Sequence, residues 1–426
     1  MAQIPKDNFF SIQIERYEKR VAKIKQNPNP NMLKSNMILY ESLLDFFRRN
    51  LKAWEDGKPF CYSETRENSI LMAMGLYPIF LSELGDRAGD LTPKYLSLAR
   101  DRGYPIDCCD RIQIGAALGL SGDLPPPSCV VVEQSECDLV RPHGIWLSKH
   151  YDVPIYFIDV PLTDDWESIQ YVAEQFSEMT EFLEDRVPGV KYDEQKLIEF
   201  LEYRRKEQGY FSRMLEMSKK SPTPIAGKDT LRMPSRQQIG DPKVLEYEEA
   251  FVNELAKKAE SGFSPLKGEE AARISWQCTA PFYDDLFTYF EERGIGIPLY
   301  EEGPGYQMNR IVGDDKQYGR HLTPIEECAA HVCYAHWHGS YKRRLNEMVS
   351  RAREWNIDGI VHFQQTGCPT CLGTAALLAG ECEKELGIPS FFIEGHCQDS
   401  EGYDRKEMEA RLDEIIQLVK ARKEIS

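Results

Sequence analysis

An α/β fold built as two similarly constructed halves is predicted by three observations. Short apolar runs of strand length alternate with longer helix-like runs, the signature of parallel sheets flanked by helices. Cysteines stand where strand-like runs end and helices begin. The order strand, cysteine loop, helix, strand occurs once between Pro105 and Pro161 and again between Ile360 and Cys397.

The elements follow in chain order. ERYEKRVAKIK and MILYESLLDFFRRNLKAWEDG carry apolar residues three and four apart, so residues 1–55 read as helical. KPFCYS is a strand candidate, ENSILMAMG a helix stopped by Gly75, and YPIFLSEL another apolar run. PIDCCDRIQIGAALGLSG places Cys108 and Cys109 just ahead of a helix, and SCVVVEQSEC is a strand ending in a loop with Cys137. PHGIWLSKHY then reads as helix and VPIYFIDVP as strand. Ile169, Val172, Ala173, Phe176, Met179 and Phe182 form one apolar stripe within a helical stretch over 165–220. Ser221–Pro242 is rich in turn formers and reads as a linker.

The second half opens with ARISWQC as strand, DDLFTYFEERG as helix and IGIPLYEE as strand. Gly303–Pro324 is irregular, a length that usually marks a functional segment. ECAAHVCYAHWHGSYKRRLNEMVSRAREWN reads as one helix. Ile360–Phe363 is a strand run, Cys368-Pro-Thr-Cys371 a turn, and the helix after it reaches Leu386 and stops at Gly387. Ile388–Ile393 is the last strand run, and Met408, Leu412, Ile415, Ile416 and Val419 mark the inner face of a closing helix. The expected organisation is a helical segment over 1–55, a first α/β domain over 56–165, a helical segment and linker over 166–245, and a second α/β domain over 246–426.

Composition narrows the function. A hydrophobic fraction of 42% supports sizeable cores, and a net charge of −17 argues against nucleic acid or an anionic membrane as the main partner. No apolar run reaches the roughly 18 residues of a membrane span, and MAQIPKDNFF has no signal-peptide core, so a cytoplasmic location is expected. Twelve cysteines then need a reason other than disulfides. Cys61, Cys278 and Cys382 read as core thiols. Cys108/Cys109, Cys137 and Cys368/Cys371 read as loops converging on one cleft, as iron–sulfur ligation requires. At a helix start the dipole favours thiolate.

Two other readings of the thiols stand beside this one. Cys333 with His331, His336 and His338 would suit zinc, but residues two apart on a helix face different ways. Cys368 and Cys371 alone would suit a dithiol redox pair. Glu133, Glu136, Asp138 and Arg141 around Cys137 read as a solvated loop, and Tyr334, Trp337 and Tyr341 as core or cleft wall. His362 and Gln364, on one face of a strand, are candidate proton donors. Gly115, Gly119 and Gly122 do not form G-x-G-x-x-G, and AGKDT at Gly227 is not a P-loop, so any ATP is bound by another protein.

WNIDGIVHFQQTGCPTCLG followed by ELGIPSFFIEGHCQDSEGYDRKEMEARLDEIIQLV resembles the 2-hydroxyacyl-CoA dehydratase and benzoyl-CoA reductase family, and PIDCCDRIQIG and QSECDLVRPHGIWLSKHYDVPIYFIDVP are similar to its first two cysteine motifs. ECAAHVCYAHWHGSYKRR is similar to a segment of benzoyl-CoA reductase subunits. The resemblance implies two Rossmann-like domains with an added helical layer and an iron–sulfur cluster in the cleft between them. It implies a [4Fe-4S] cubane on Cys109 or Cys108, Cys137 and Cys368, and a separate homodimeric ATPase that feeds low-potential electrons. The doubled cysteines, together with Cys333, resemble the double-cubane branch. That branch implies an [8Fe-9S] cluster on Cys108, Cys109, Cys137, Cys333, Cys368 and Cys371, a homodimer, and reduction of small unsaturated molecules. Few cations near the cluster would keep its potential low. Two alternatives are a single-cubane subunit of a 2-hydroxyacyl-CoA dehydratase or benzoyl-CoA reductase, and a non-enzymatic electron carrier.

Overall fold

The computed structural model describes residues 4–27, 33–230, 236–303, 319–335 and 337–425. It contains two four-stranded sheets, each wholly parallel. The first holds β1 (Phe60–Glu64), β2 (Tyr77–Phe80), β3 (Cys129–Gln134) and β4 (Ile155–Asp159), in the order β2-β1-β3-β4. The second holds β5 (Ala272–Gln277), β6 (Ile295–Tyr300), β7 (Gly359–Gln365) and β8 (Ser390–Gly395), in the order β6-β5-β7-β8. The two orders are the same permutation, so the expected likeness of the halves is present in the topology.

Parallel strands need helices on both faces, and both sheets have them. One face of the first sheet packs with Phe9, Phe47 and Tyr95 from the N-terminal helices. Its other face packs on Ile169, Val172 and Phe176 of the helix Trp166–Arg186. The second sheet is covered on one side by the C-terminal helix Arg405–Ile425 and on the other by Tyr341–Glu354 and Ala375–Leu386. Leu412, Ile415 and Val419 of the closing helix are fully buried, each contributing about 1.5–3 kcal/mol of apolar transfer.

Two segments cross the boundaries read from the sequence. The helix Pro242–Glu260 runs through position 245 and packs Tyr247, Phe251 and Leu255 into the core of the first half. The helix Pro324–Cys333 also packs on the first half, through Ala329, Ala330 and Val332 against the core built on Ile169 and Phe176.

The single helix expected from Glu327 to Asn356 is two. Pro324–Cys333 ends at Tyr334, Gly339 adopts φ +95°, and Ser340 starts the next helix by accepting from the Arg343 amide. Glycine at positive φ followed by a serine cap is the stop-and-start signal that periodicity alone passes over. His336 and most of Gly303–Pro324 lie outside the described residues. Among the described residues no helix is long and apolar enough to cross a membrane.

Candidate iron–sulfur site

Parallel sheets place their loops at the carboxyl ends of the strands, where open α/β folds bind ligands. Cys109 is the N-cap of the helix Asp110–Leu120. Cys137 lies three residues beyond β3, ahead of the helix Val140–Tyr151. Cys368 lies three residues beyond β7 and caps the short helix Pro369–Gly373. All three line one cleft of about 1170 Å³ between the halves.

The halves are stapled at these loops. Gln365 donates to Asp110 Oδ1 at 2.7 Å, and the Thr370 hydroxyl donates to the Glu136 carbonyl at 2.7 Å. Gly367, at φ +73°, lies against the backbone of Asp107, Cys108 and Cys109. A Cβ there would stand 2.4 Å from the Asp107 carbonyl oxygen, so only glycine permits the approach.

The thiols sense one another. Burial pushes Cys109 well up, and Asp110, Cys368 and Cys137 add to it. Burial and Cys368 push Cys137 up to about 12. Burial therefore outweighs the helix dipole expected from the sequence, and a metal must displace the thiol protons to bind. The chemistry of the donor set fits a cluster: three soft sulfurs from three loops, in a partly dry crevice.

Behind this trio stand three more cysteines from the second half. Cys278 directly follows β5 and is disulfide-bonded to Cys371, with a Cα–Cα distance of 6.2 Å. Cys397 lies two residues beyond β8, is fully buried, and donates its thiol to Asp110 Oδ1 at 3.1 Å. Asp110 also accepts from the amides of Gln398 and Asp399 at 2.7 and 2.9 Å. Cys278 holds φ +68°, rare for a residue with a Cβ, and its amide donates to buried Glu301 at 2.5 Å. Arg344 grips Glu301 through two nitrogens at 3.1 and 3.0 Å and reaches toward the Thr370 carbonyl. One buried ion pair thus steadies the turns that carry both Cys278 and Cys371.

The other candidates fall elsewhere. Cys108 is half-exposed beside Cys109, its carbonyl accepting from Gln113 at 2.6 Å. Cys333 is buried in the core around Phe176. His331 faces Glu67 at 3.3 Å, and His338 sits between the carbonyls of Ser135 and Pro161. Cys333, His331 and His338 thus face different surroundings, and among the described residues, the cleft cysteines included, no three His, Cys, Asp or Glu side chains surround a single-ion position. His362 is buried, stacks on Phe392, and is driven down to about 3 by burial and then by Arg344. Neither it nor Gln364 is among the described residues that line the cleft.

Three expectations about surroundings change. Glu133 is buried and accepts from the Thr65 hydroxyl at 2.6 Å and the Arg66 amide at 3.0 Å, while Glu136 pairs with Arg66. Only Asp138 and Arg141 are the solvated residues expected there. A cation does stand near the thiols: Arg111, held by Asp86 at 2.6 Å and facing Glu302 at 3.6 Å. Sequence reading took Cys278 for a core thiol and gave Cys397 no role, although the rule that picked Cys137 and Cys368, a cysteine just past a strand, also picks them.

The family model for the D-component of 2-hydroxyglutaryl-CoA dehydratase matches residues 68–418. The chain belongs to this family. Among curated members, the (R)-phenyllactyl-CoA dehydratase alpha subunit of Clostridium sporogenes is 24% identical over 76% of this chain and 80% of its own length. The lactoyl-CoA dehydratase subunit alpha of Anaerotignum propionicum is 21% identical over 91% of this chain and 96% of its own. A benzoyl-CoA reductase subunit of Thauera aromatica is 21% identical over 75% of this chain and 78% of its own. The family match spans the second sheet, β2, β3 and β4 of the first, and every cysteine loop of the cleft.

Proposed function

We propose that the chain is an iron–sulfur reductase component with a double-cubane [8Fe-9S] cluster. It works as a homodimer, receives low-potential electrons from a separate ATP-hydrolysing activator, and reduces small unsaturated molecules. The observation that carries this reading is the gathering of six cysteines at the carboxyl ends of both sheets. Cys109, Cys137 and Cys368 would hold one cubane, and Cys278, Cys371 and Cys397 the other once the Cys278–Cys371 pair is reduced. Cys278 and Cys397 thereby replace Cys108 and Cys333 in the ligand set drawn from sequence.

When bound, the cluster supplies low-potential electrons to a molecule in the cleft. The chain's own residues shape that event. Asp110 locks the Cys397 loop to the Cys109 helix, and Arg344 with Glu301 fixes the Cys278 and Cys371 turns. Arg111, offset by Asp86 and Glu302, lends the thiolates a positive charge with little net gain.

A second reading is favoured by the relatives' names and by the trio that alone lines the cleft: a single [4Fe-4S] subunit of an acyl-CoA dehydratase or reductase. The cleft wall near the cysteines argues against it. Asp86, Glu133, Glu136, Asp284, Glu302 and Asp399 line the cleft with Arg16, Arg20, Arg66, Arg87 and Arg111, a mixed wall with an acidic surplus. Iron and sulfide analysis of anaerobically purified protein decides between them. About eight irons per chain supports the double cubane, about four the single one, and none removes both.

A further inference from the structure

At the cleft end of β1 stands a carboxyl group that the thiol chemistry does not use. Glu64 is 5% exposed and lines the cleft with Cys109 and Cys137. Its Oε1 accepts from the Ser82 amide at 3.0 Å and its Oε2 from the Ser82 hydroxyl at 2.6 Å. His143 Nε2 lies 3.7 Å from the same Oε1. His143 is 1% exposed, and its Nε2 makes no hydrogen bond. Its Nδ1 faces the Tyr104 hydroxyl at 3.2 Å. Tyr104 is part-exposed and stacks on Trp146.

One tautomer of His143 suits a proton row. A Tyr104 hydroxyl donating to Nδ1 leaves the imidazole proton on Nε2, and Nε2 points at Glu64. A buried donor without a partner costs about 1–3 kcal/mol, so packing alone gives no reason to keep it. The row runs from the surface at Tyr104, through His143, to the cleft at Glu64.

We propose that Glu64 is the proton donor to whatever is reduced in the cleft, and that Tyr104 and His143 refill it from solvent. The inference rests on the redox reading of the site. Electrons come from the low-potential donor by way of the cluster. The O–H bond of the Glu64 carboxyl breaks as the new bond to the reduced molecule forms. The carboxylate then takes the Nε2 proton of His143, Nδ1 takes the Tyr104 proton, and the tyrosine oxygen takes one from water. A hydroxyl and an imidazole that each accept as they donate end the pass uncharged, with the ring proton moved from Nε2 to Nδ1, and the starting tautomer must be restored before the next pass. One proton enters at the surface and one leaves into the cleft. A molecule seated in the cleft would cover the front of Glu64, so refilling from behind keeps the donor loaded.

The surroundings suit the task. Burial pushes the Glu64 carboxyl up to about 7, against the pull of the Ser82 hydrogen bonds and of Arg111, with Asp86 adding to the rise. Burial alone drives His143 down to about 4, so it stays neutral and can pass a proton in either sense. A donor near the working pH is the efficient one. The charged or titratable groups acting on Glu64 are Arg111 on the helix Asp110–Leu120, Asp86 after the helix Leu81–Gly85, His143 on the helix Val140–Tyr151, Tyr104, and the Cys137 thiol.

The test uses full-length protein with Glu64→Gln, which keeps the Ser82 contacts, and His143→Gln. Infrared titration of the protein as purified reads the carboxyl directly. The expected result is a protonated-carboxyl band that titrates near neutral pH, is absent in Glu64→Gln and shifts in His143→Gln. A second measurement follows proton uptake with an indicator dye as titanium(III) citrate reduces the anaerobic protein. Glu64→Gln should lose the uptake, and His143→Gln should keep its amount but slow it by about tenfold or more, the scale of a lost proton shuttle. No Glu64-dependent band, or uptake equally fast without His143, overturns the proposal. A protein without iron would fail the second measurement and leave the infrared result intact, which separates this inference from the redox reading.

Discussion

In the first half, Cys109 and Cys137 stand at the cleft with a titratable carboxyl between their loops. In the second, only Cys368 reaches the cleft, while Cys278, Cys371 and Cys397 lie behind it, locked by Glu301, Arg344 and Asp110. The sheets share one strand order, so topology does not make this difference. Loop content does. The loop after β3 is held open by Glu133 and by Thr370 of the other half. The turns after β5 and β7 are tied to each other by one disulfide. Two copies of one scaffold can thus divide the work, one meeting the substrate and the other holding the deeper sulfurs.

The sharpest way to break this comparison is to remove sulfurs from each side in turn. Cys109→Ala, Cys137→Ala or Cys368→Ala should abolish the cluster that faces the cleft. Cys278→Ala or Cys397→Ala should leave about four irons per chain if the deeper set is a separate cubane. Metal analysis of anaerobic protein with electron paramagnetic resonance reads both. Equal loss from every variant would mean that the six sulfurs act as one unit and that the division is false.

A second contrast separates the cleft from the outer side of the first half. There Glu67 is buried between Arg204 and His331, tying the helix Asn68–Ala73 to Glu194–Ser218 and Pro324–Cys333. Burial would raise the Glu67 carboxyl, but Arg204 and the His331 and Ser69 hydrogen bonds outweigh it and hold it at about 2. Arg204→Met leaves that carboxylate buried and unpaired, an expected loss of about 3–5 kcal/mol in denaturant unfolding. The pH sign follows. A depressed carboxylate gives its full stability above its unfolded value near 4.5 and loses it as pH falls toward 2. Wild type should therefore lose stability over that window, and Arg204→Met should lose much less there.

Much of this was legible in the sequence, and the part that was not has a physical cause. Short apolar runs and period-three-to-four patterns gave the strands and helices of both halves, because parallel strands buried on both faces read as continuous apolar runs and amphipathic helices repeat every three to four residues. Cysteines in pairs drew notice, as at Cys108/Cys109 and Cys368/Cys371. Of the single ones, Cys137 stood out, whereas Cys278 in ARISWQC read as a core thiol and Cys397 in EGHCQDS was given no role, since a lone cysteine looks the same in a core and in a site. Cys333 was added as one more candidate in the cysteine surplus, yet its helix buries it in the core around Phe176 and not in the cleft wall. Tertiary packing, which no local pattern records, decided that. The Glu64–His143–Tyr104 row was invisible for the same reason, its members being far apart in the chain.

The seam itself gives a smaller effect. Gly367→Ala puts a Cβ within 2.4–2.6 Å of backbone atoms of residues 107–109 and holds a non-glycine residue at φ +73°. The neighbours are backbone and cannot rotate away, so the loops must part. A loss of about 1–3 kcal/mol in thermal unfolding is expected from strain of this kind. The iron content should fall along with it, because the same displacement moves Cys109 and Cys368 apart. An unchanged iron content would show that the seam can open without disturbing the sulfurs.

Smallest of all should be Cys333→Ala. This thiol is fully buried in the core that holds Val172, Phe176 and Val332, and it does not line the cleft, although Glu133 of the cleft wall acts on it. Removing one sulfur there leaves a small cavity, an expected cost of about 1 kcal/mol, the scale of a deleted methyl group or slightly more. Iron per chain should not change. If it falls, the helix Pro324–Cys333 must swing toward the cleft in the loaded protein. That movement would have to break the ion pair between Arg205 and Glu327 and the contact of His331 with Glu67. Comparing Cys333→Ala with Cys397→Ala, both wholly buried thiols, therefore asks whether depth alone or position relative to the strand ends makes a cysteine a ligand.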